Sequence, residues 1–240
     1  MRMLDVAQGS PEWYQARLGL PTASCFEQIV TPGGKLSAQA RKYALRLVAE
    51  ELLNRPLDSL DHVQWVQHGR EHEPAAVKLY GFEQGVATQP VGFCLTDDGR
   101  IGASPDRLVG ASGLLEVKCP SPAVHLGYLL DGPGTDYRPQ VQGQLLVTER
   151  EWCDFWSYHP EMPAARVRTH RDDAYIAKLR DALDAFCSMK DLLLDRARVA
   201  GVFQAAAEVR TPAEAELGQL SEGESYDSPA DDWVRWGARA

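Results

Sequence analysis

The 240-residue sequence has no C-x-x-C pair, no apolar run approaching the roughly 20 residues needed to span a bilayer, and no basic-then-apolar order in its N-terminus MRMLDVAQGSPEW. Each absence excludes something. The five cysteines (Cys25, Cys94, Cys119, Cys153, Cys187) are odd in number and widely spaced, so free thiols are expected rather than a disulfide framework or a zinc ribbon. Without a span or a signal, no membrane partner is expected and the location is expected to be cytoplasmic. A hydrophobic share of 44% suffices for one sizeable core.

Positive charge is also scarce. The net charge is -9, whereas proteins that coat nucleic acid gain affinity from Lys and Arg releasing counterions. The acids are unevenly spread, however. Residues 205–240 hold eight of them against Arg210, Arg235 and Arg239, a net of -5, which leaves -4 for the rest. Such a body is compatible with DNA held in a confined basic groove, but not with a broadly basic DNA-coating protein. The segment 205–240, poor in large apolar residues, is expected to be a mobile acidic tail after a main domain of residues 1–204. Within it Trp233 and Trp236 stand i,i+3 and are candidates for docking on a partner or another subunit.

Hydrophobic periodicity predicts a helix over 37–53, with Ser37 as its cap and Ala40, Tyr43, Ala44, Leu47, Val48 and Leu52 on one face. Further helices are predicted near 66–80, 122–130 and 139–148, and a long amphipathic one over 173–200 stopped by Gly201. Between 91 and 118 the short apolar runs VGFCL, RIGAS and GLLEVKC, separated by turn signals, predict a strand meander. CDFWSYH at 153–159 reads as another strand, and ARVRTH at 165–170 as an edge strand. The fold class is therefore α/β (α+β): a central mixed sheet flanked by helices.

One constellation carries chemistry. Ser104-Pro105-Asp106 ends one predicted strand, and Glu116-Val117-Lys118 lies in the next beyond a glycine-bracketed hairpin. Strand alternation puts Glu116 and Lys118 on one face and Leu115 and Val117 on the other. If the strands pair around the 107–113 turn, Asp106, Glu116 and Lys118 converge. Two hard carboxylates, with the Val117 carbonyl as a further ligand, can hold Mg²⁺, which keeps several waters. Such a metal polarises a phosphate oxygen and activates water, while the ammonium orients that water and offsets developing charge. By its chemistry this is a phosphodiesterase centre.

More of the chain agrees. EWYQARLGLPTAS, GREHEPAAVKLY, GASPDRL, LLEVKCP and YRPQVQGQLLVT, in this order over residues 8–160, resemble the phage lambda-type exonucleases, the YqaJ-like viral recombinases of the PD-(D/E)xK superfamily. The resemblance implies a restriction-endonuclease-like core. It implies a phage- or prophage-encoded enzyme of the bacterial cytoplasm that digests one strand of linear duplex DNA 5′ to 3′. The 3′ overhang so left serves a single-strand annealing protein. It further implies two Mg²⁺ ions per site, with Mn²⁺ able to substitute, and a homotrimeric ring around the DNA. Carried over by position, Asp106 and Glu116 match the metal ligands and Lys118 the catalytic lysine. Glu73 matches an acid reaching the site from a helix, toward the second metal or its water. Arg17, Ser24, Ser104 and Gln140 match the pocket that grips the 5′-phosphate, donors that suit a phosphate dianion. Pro74 beside Glu73 leads us to expect a helix start or kink there.

Other readings compete. His68-Gly69-Arg70-Glu71-His72 spells H-x-x-E-H, two ligands and a base in inverted zinc metallopeptidases. Against it, Gly69 weakens the helix and no third ligand is evident downstream. An inactive DNA-end-binding protein has no support from a motif whose three groups are all present. Iron–sulfur nucleases lack their cysteine cluster here. A PD-(D/E)xK endonuclease remains open, because the catalytic motif does not say whether a DNA end is required.

Overall fold

The computed structural model describes residues 1–57 and 64–201, with the side chains of 64–67 left aside. The expected acidic tail with Trp233 and Trp236 lies outside the described residues. The chain divides into two compact units, Met1–Arg196 and Ala197–Ala240, and the architecture below is that of the first.

In chain order the elements are β1 (Arg2–Leu4), α1 (Pro11–Arg17), a 3-10 helix (Ala23–Gln28), α2 (Ala40–Leu53), α3 (Gln64–Gln84), β2 (Thr88–Pro90), β3 (Phe93–Leu95) and β4 (Gly102–Ala103). Then follow β5 (Arg107–Val109), β6 (Gly113–Lys118), α4 (Pro122–Asp131), α5 (Arg138–Thr148), β7 (Trp152–His159), β8 (Met162–His170) and α6 (Asp173–Val199). Five strands form a mixed sheet in the order β2-β5-β6-β7-β8. Only β6 and β7 run parallel within it, with α4 and α5 filling the crossover between them.

The predicted meander over 91–118 is corrected here. β3 and β4 belong to a separate three-stranded sheet with β1, while β5 and β6 belong to the large one. The runs look alike in sequence, but partners fixed by β1 and β2, both only three residues long, draw them apart. As expected, β8 is an edge strand.

α2 buries Ala40, Tyr43, Ala44, Leu47 and Val48, the face the periodicity predicts. Ser37 does not cap it. Its hydroxyl accepts from the Gln39 N–H at 3.2 Å in the preceding turn, and the helix starts at Ala40. Asn54 ends it in the left-handed conformation, φ 51°. In α6, Asp172 accepts from the Tyr175 N–H at 3.0 Å at the start, and Ile176, Leu179, Leu183 and Phe186 are buried. Each such side chain contributes about 2 kcal/mol by leaving water. These two helices, with α5 and the 3-10 helix, cover one side of the sheets.

The other side of β6 meets α3. Leu115 and Val117 pack with Ala76, Tyr80 and Trp156, whereas Leu114 joins the cluster around α5 and α6. Strand alternation thus turns Glu116 and Lys118 toward the α5 side. α5 can rest on the 3-10 helix because Gly143 has no side chain: a Cβ there would stand 2.4 Å from the Phe26 ring.

Candidate active site

Residue pairing between β5 and β6 matches Arg107 with Leu115, so Asp106, one residue before β5, falls level with Glu116. Asp106 Oδ2 accepts the Val117 N–H at 2.6 Å. Glu116 is 3% exposed and is held at both oxygens. Oε1 accepts from Lys118 Nζ and from Gln140 Nε2, each at 2.6 Å, and Oε2 accepts from Gln144 Nε2 at 2.6 Å. The Lys118 ammonium also lies 5.2 Å from the Tyr137 ring centroid.

Glu73 closes the site from α3. It pairs with Arg107 at 3.2 Å. Of the helix start or kink expected here, the start is not found: Glu73 sits mid-helix, with Pro74 inside the same helix. The proline forfeits one backbone hydrogen bond, and the packing of Ala76 and Tyr80 on β6 and β7 holds the helix through it.

Three carboxylates therefore face two cations. Burial first, then Glu116 and Glu73, hold the Asp106 carboxyl well above the usual carboxylate range. Burial lowers the Lys118 pKa, but Glu116 and Asp106 outweigh it and keep the ammonium charged. A surplus of carboxylates at a strand end suits a divalent cation. Among the described residues no group of three or more His, Cys, Asp or Glu closes a metal cage. Mg²⁺ takes one or two protein carboxylates and completes its shell with water and phosphate. Asp106, Glu116 and the Val117 carbonyl are the residues that could hold such an ion.

The second cluster lies at Arg17. Its guanidinium donates to Ser104 Oγ at 3.3 Å, Thr22 Oγ1 at 3.2 Å and Ser24 Oγ at 3.3 Å. It stacks 4.0 Å over the Trp13 ring, whose Nε1–H donates to Ser104 Oγ at 2.9 Å. Arg17, Ser24 and Ser104 are thus brought together. Gln140, grouped with them by resemblance, instead bonds Glu116. Burial lowers the Arg17 pKa, and a guanidinium so placed stays a cation. The sequence reading missed Trp13, Thr22 and Gln144. The signals were there: Gln144 follows Gln140 by one helical turn, and Trp13 precedes Arg17 by one.

His68 and His72 do lie together, 4.3 Å between ring centroids. Among the described residues no group of three or more His, Cys, Asp or Glu includes them.

A glutamate and a lysine two apart on a central strand, beside an aspartate bonded to the backbone between them, define a nuclease of the PD-(D/E)xK class. The model of the YqaJ-like viral recombinase domain matches residues 12–151, and the chain belongs to that family. Its structure is similar to an alkaline exonuclease of Laribacter hongkongensis, LHK-Exo, at 32% identity over 80% of this chain and 98% of that one, TM-score 0.73. The complex of that enzyme with dAMP matches at 34% identity over the same shares, TM-score 0.73. A phage-related exonuclease of Haemophilus somnus 129PT shares the fold at 17% identity over 74% of this chain and 96% of that one, TM-score 0.60. No curated protein matches. The fold is restriction-endonuclease-like and the protein is a nuclease. Among the described residues no helix is long and apolar enough to cross a membrane.

Proposed function

We propose that the protein is a Mg²⁺-dependent 5′ to 3′ exonuclease that digests one strand of linear duplex DNA from a 5′-phosphate and leaves a 3′ overhang. The observation that carries this reading is the Arg17 cluster. One guanidinium and the hydroxyls of Ser24, Thr22 and Ser104 gather at a single point, and Ser104 stands two residues from Asp106. Such donors grip a terminal phosphate dianion, and an endonuclease has no need of an end. The dAMP held by the Laribacter relative supports a deoxynucleotide as ligand here too.

Asp106, Glu116 and the Val117 carbonyl would hold the metal, with Glu73 serving a second ion or its water. The metal, when bound, lowers the pKa of a water and polarises the scissile phosphate. Lys118 keeps its proton, orients the attacking water and offsets charge on the phosphorane-like transition state. Gln144 and Gln140 fix the Glu116 carboxylate, and Arg17 sets the distance from the DNA end to the cut. Mn²⁺ substitutes for Mg²⁺ as an oxygen-loving ion. We place the enzyme in the bacterial cytoplasm as a phage-type homotrimeric ring, handing its overhang to a single-strand annealing protein. Enclosure by a ring would let an acidic protein stay on DNA.

End-labelled linear duplex tests the reading. With Mg²⁺, 5′-phosphorylated linear DNA shortens and closed circles survive. Equal cutting of circles would sink it. Arg17→Ala should reduce the preference for phosphorylated over hydroxyl ends about 10-fold, the size of one charge-assisted contact. An unaltered ratio would remove Arg17 from end recognition.

A further inference from the structure

Each imidazole of the described core has a hydrogen-bond partner. His125 Nε2 donates to the Pro163 carbonyl at 2.9 Å and Nδ1 bonds Ser157 Oγ at 2.7 Å, while His159 Nδ1 accepts the Glu161 N–H at 3.2 Å. His68 and His72 differ. They stand one turn apart on α3, partly exposed, their rings edge to face at 61°. Neither makes a hydrogen bond or ion pair with any described residue. Two side chains at i and i+4 share one helix face, and Glu71, exposed, lies on the same strip.

We propose that His68 and His72 form a bidentate site for a borderline divalent metal, Zn²⁺, Ni²⁺ or Cu²⁺, distinct from the oxygen site fitted to Mg²⁺. Imidazole nitrogen selects such ions over Mg²⁺. Two ligands leave the remaining positions to water, so the site is a clip rather than a closed structural centre or a hydrolytic one. The clip crosses Gly69, the weakest helix former in this stretch, and ends one residue before Glu73, which pairs with Arg107 at the catalytic rim. Loading it therefore fixes the turn that carries Glu73. Binding displaces any protons on the two rings and breaks no bond of the protein.

Titration calorimetry of the full chain with Ni²⁺, in a large excess of Mg²⁺ to occupy the carboxylates, tests this. One tight Ni²⁺ per chain is expected. His68→Gln and, separately, His72→Gln should each weaken it roughly 100-fold, because losing one arm removes the intramolecular advantage of the second. Asp106→Asn should leave it unchanged. Cu²⁺ on the same proteins should give an electron-spin spectrum with two imidazole nitrogens in the wild type and one in each single variant. No tight Ni²⁺ in the wild type, or tight binding that survives either histidine change, would overturn the proposal. Loss of Ni²⁺ in Asp106→Asn alone would do so as well, by placing the ion at the carboxylates.

Discussion

Glu116 and Asp154 are carboxylates on neighbouring strands, both buried, and they face opposite sides of the same sheet. Asp154 is matched: Tyr80 donates to Oδ2 at 2.8 Å, Arg168 grips both oxygens at 2.7 and 2.8 Å, and Arg166 stands 3.8 Å away. Arg168 in turn stacks 3.7 Å over Trp152. One acid there meets two arginines. Glu116, on the other side, shares its surroundings with Asp106 and, at the strand end, Glu73, and among the described residues Lys118 and Arg107 are the cations that oppose the three. A balanced buried pair fixes structure, whereas an acid surplus has an unfilled role for a cation. Burial and hydrogen-bond number alone would not separate the two, but the sign of the local charge does.

Substitutions can break or sharpen that contrast. The largest effect is expected for Lys118→Ala, a fall in single-turnover cleavage of roughly 10³-fold, as for other lost charge-stabilising donors, with DNA-end binding retained in a gel-shift measurement. Unchanged turnover would contradict the role given to the lysine. Asp154→Ala should cost about 3 kcal/mol in urea unfolding, because it strands the buried Tyr80 hydroxyl and removes the acceptor of Arg168, with cleavage per folded molecule intact. If activity falls and stability does not, the division between the two sides is wrong. Gln144→Leu removes the donor to Glu116 Oε2 and should cost about 2 kcal/mol without divalent ion. Added Mg²⁺ should recover part of that loss, as monitored by thermal unfolding. Smallest of all, Arg166→Ala should move stability by no more than about 0.5 kcal/mol, because Asp154 stands 3.8 Å from it and its bond to the Gln84 amide lies at the exposed surface.

Much of this was legible in the sequence, for identifiable reasons. α2, α5 and α6 show themselves through side chains that repeat at helical spacing, and their observed ends fall within a few residues of the expected ones. The Asp106, Glu116 and Lys118 group is local, spanning a single hairpin, so alternation along β6 suffices to bring it together. β1 and β2 are too short to show alternation, and α1 gives its seven residues no buried face. The parallel pairing of β6 with β7, which joins Gly113 to Trp152, depends on a crossover that no local pattern specifies. For the same reason the hold of Gln144 on Glu116 stayed out of sight, although its spacing from Gln140 pointed to it.

Gly143 lies between those two glutamines in sequence and rests against Phe26. The reach of both amides to the Glu116 carboxylate is thus calibrated from the flank of the helix, by how closely its backbone can rest on an aromatic ring. Bulk added at that distant contact would lift the amides off Glu116 and leave every polar residue of the centre chemically intact. The tolerance of the site is set at a point that never meets DNA, metal or water.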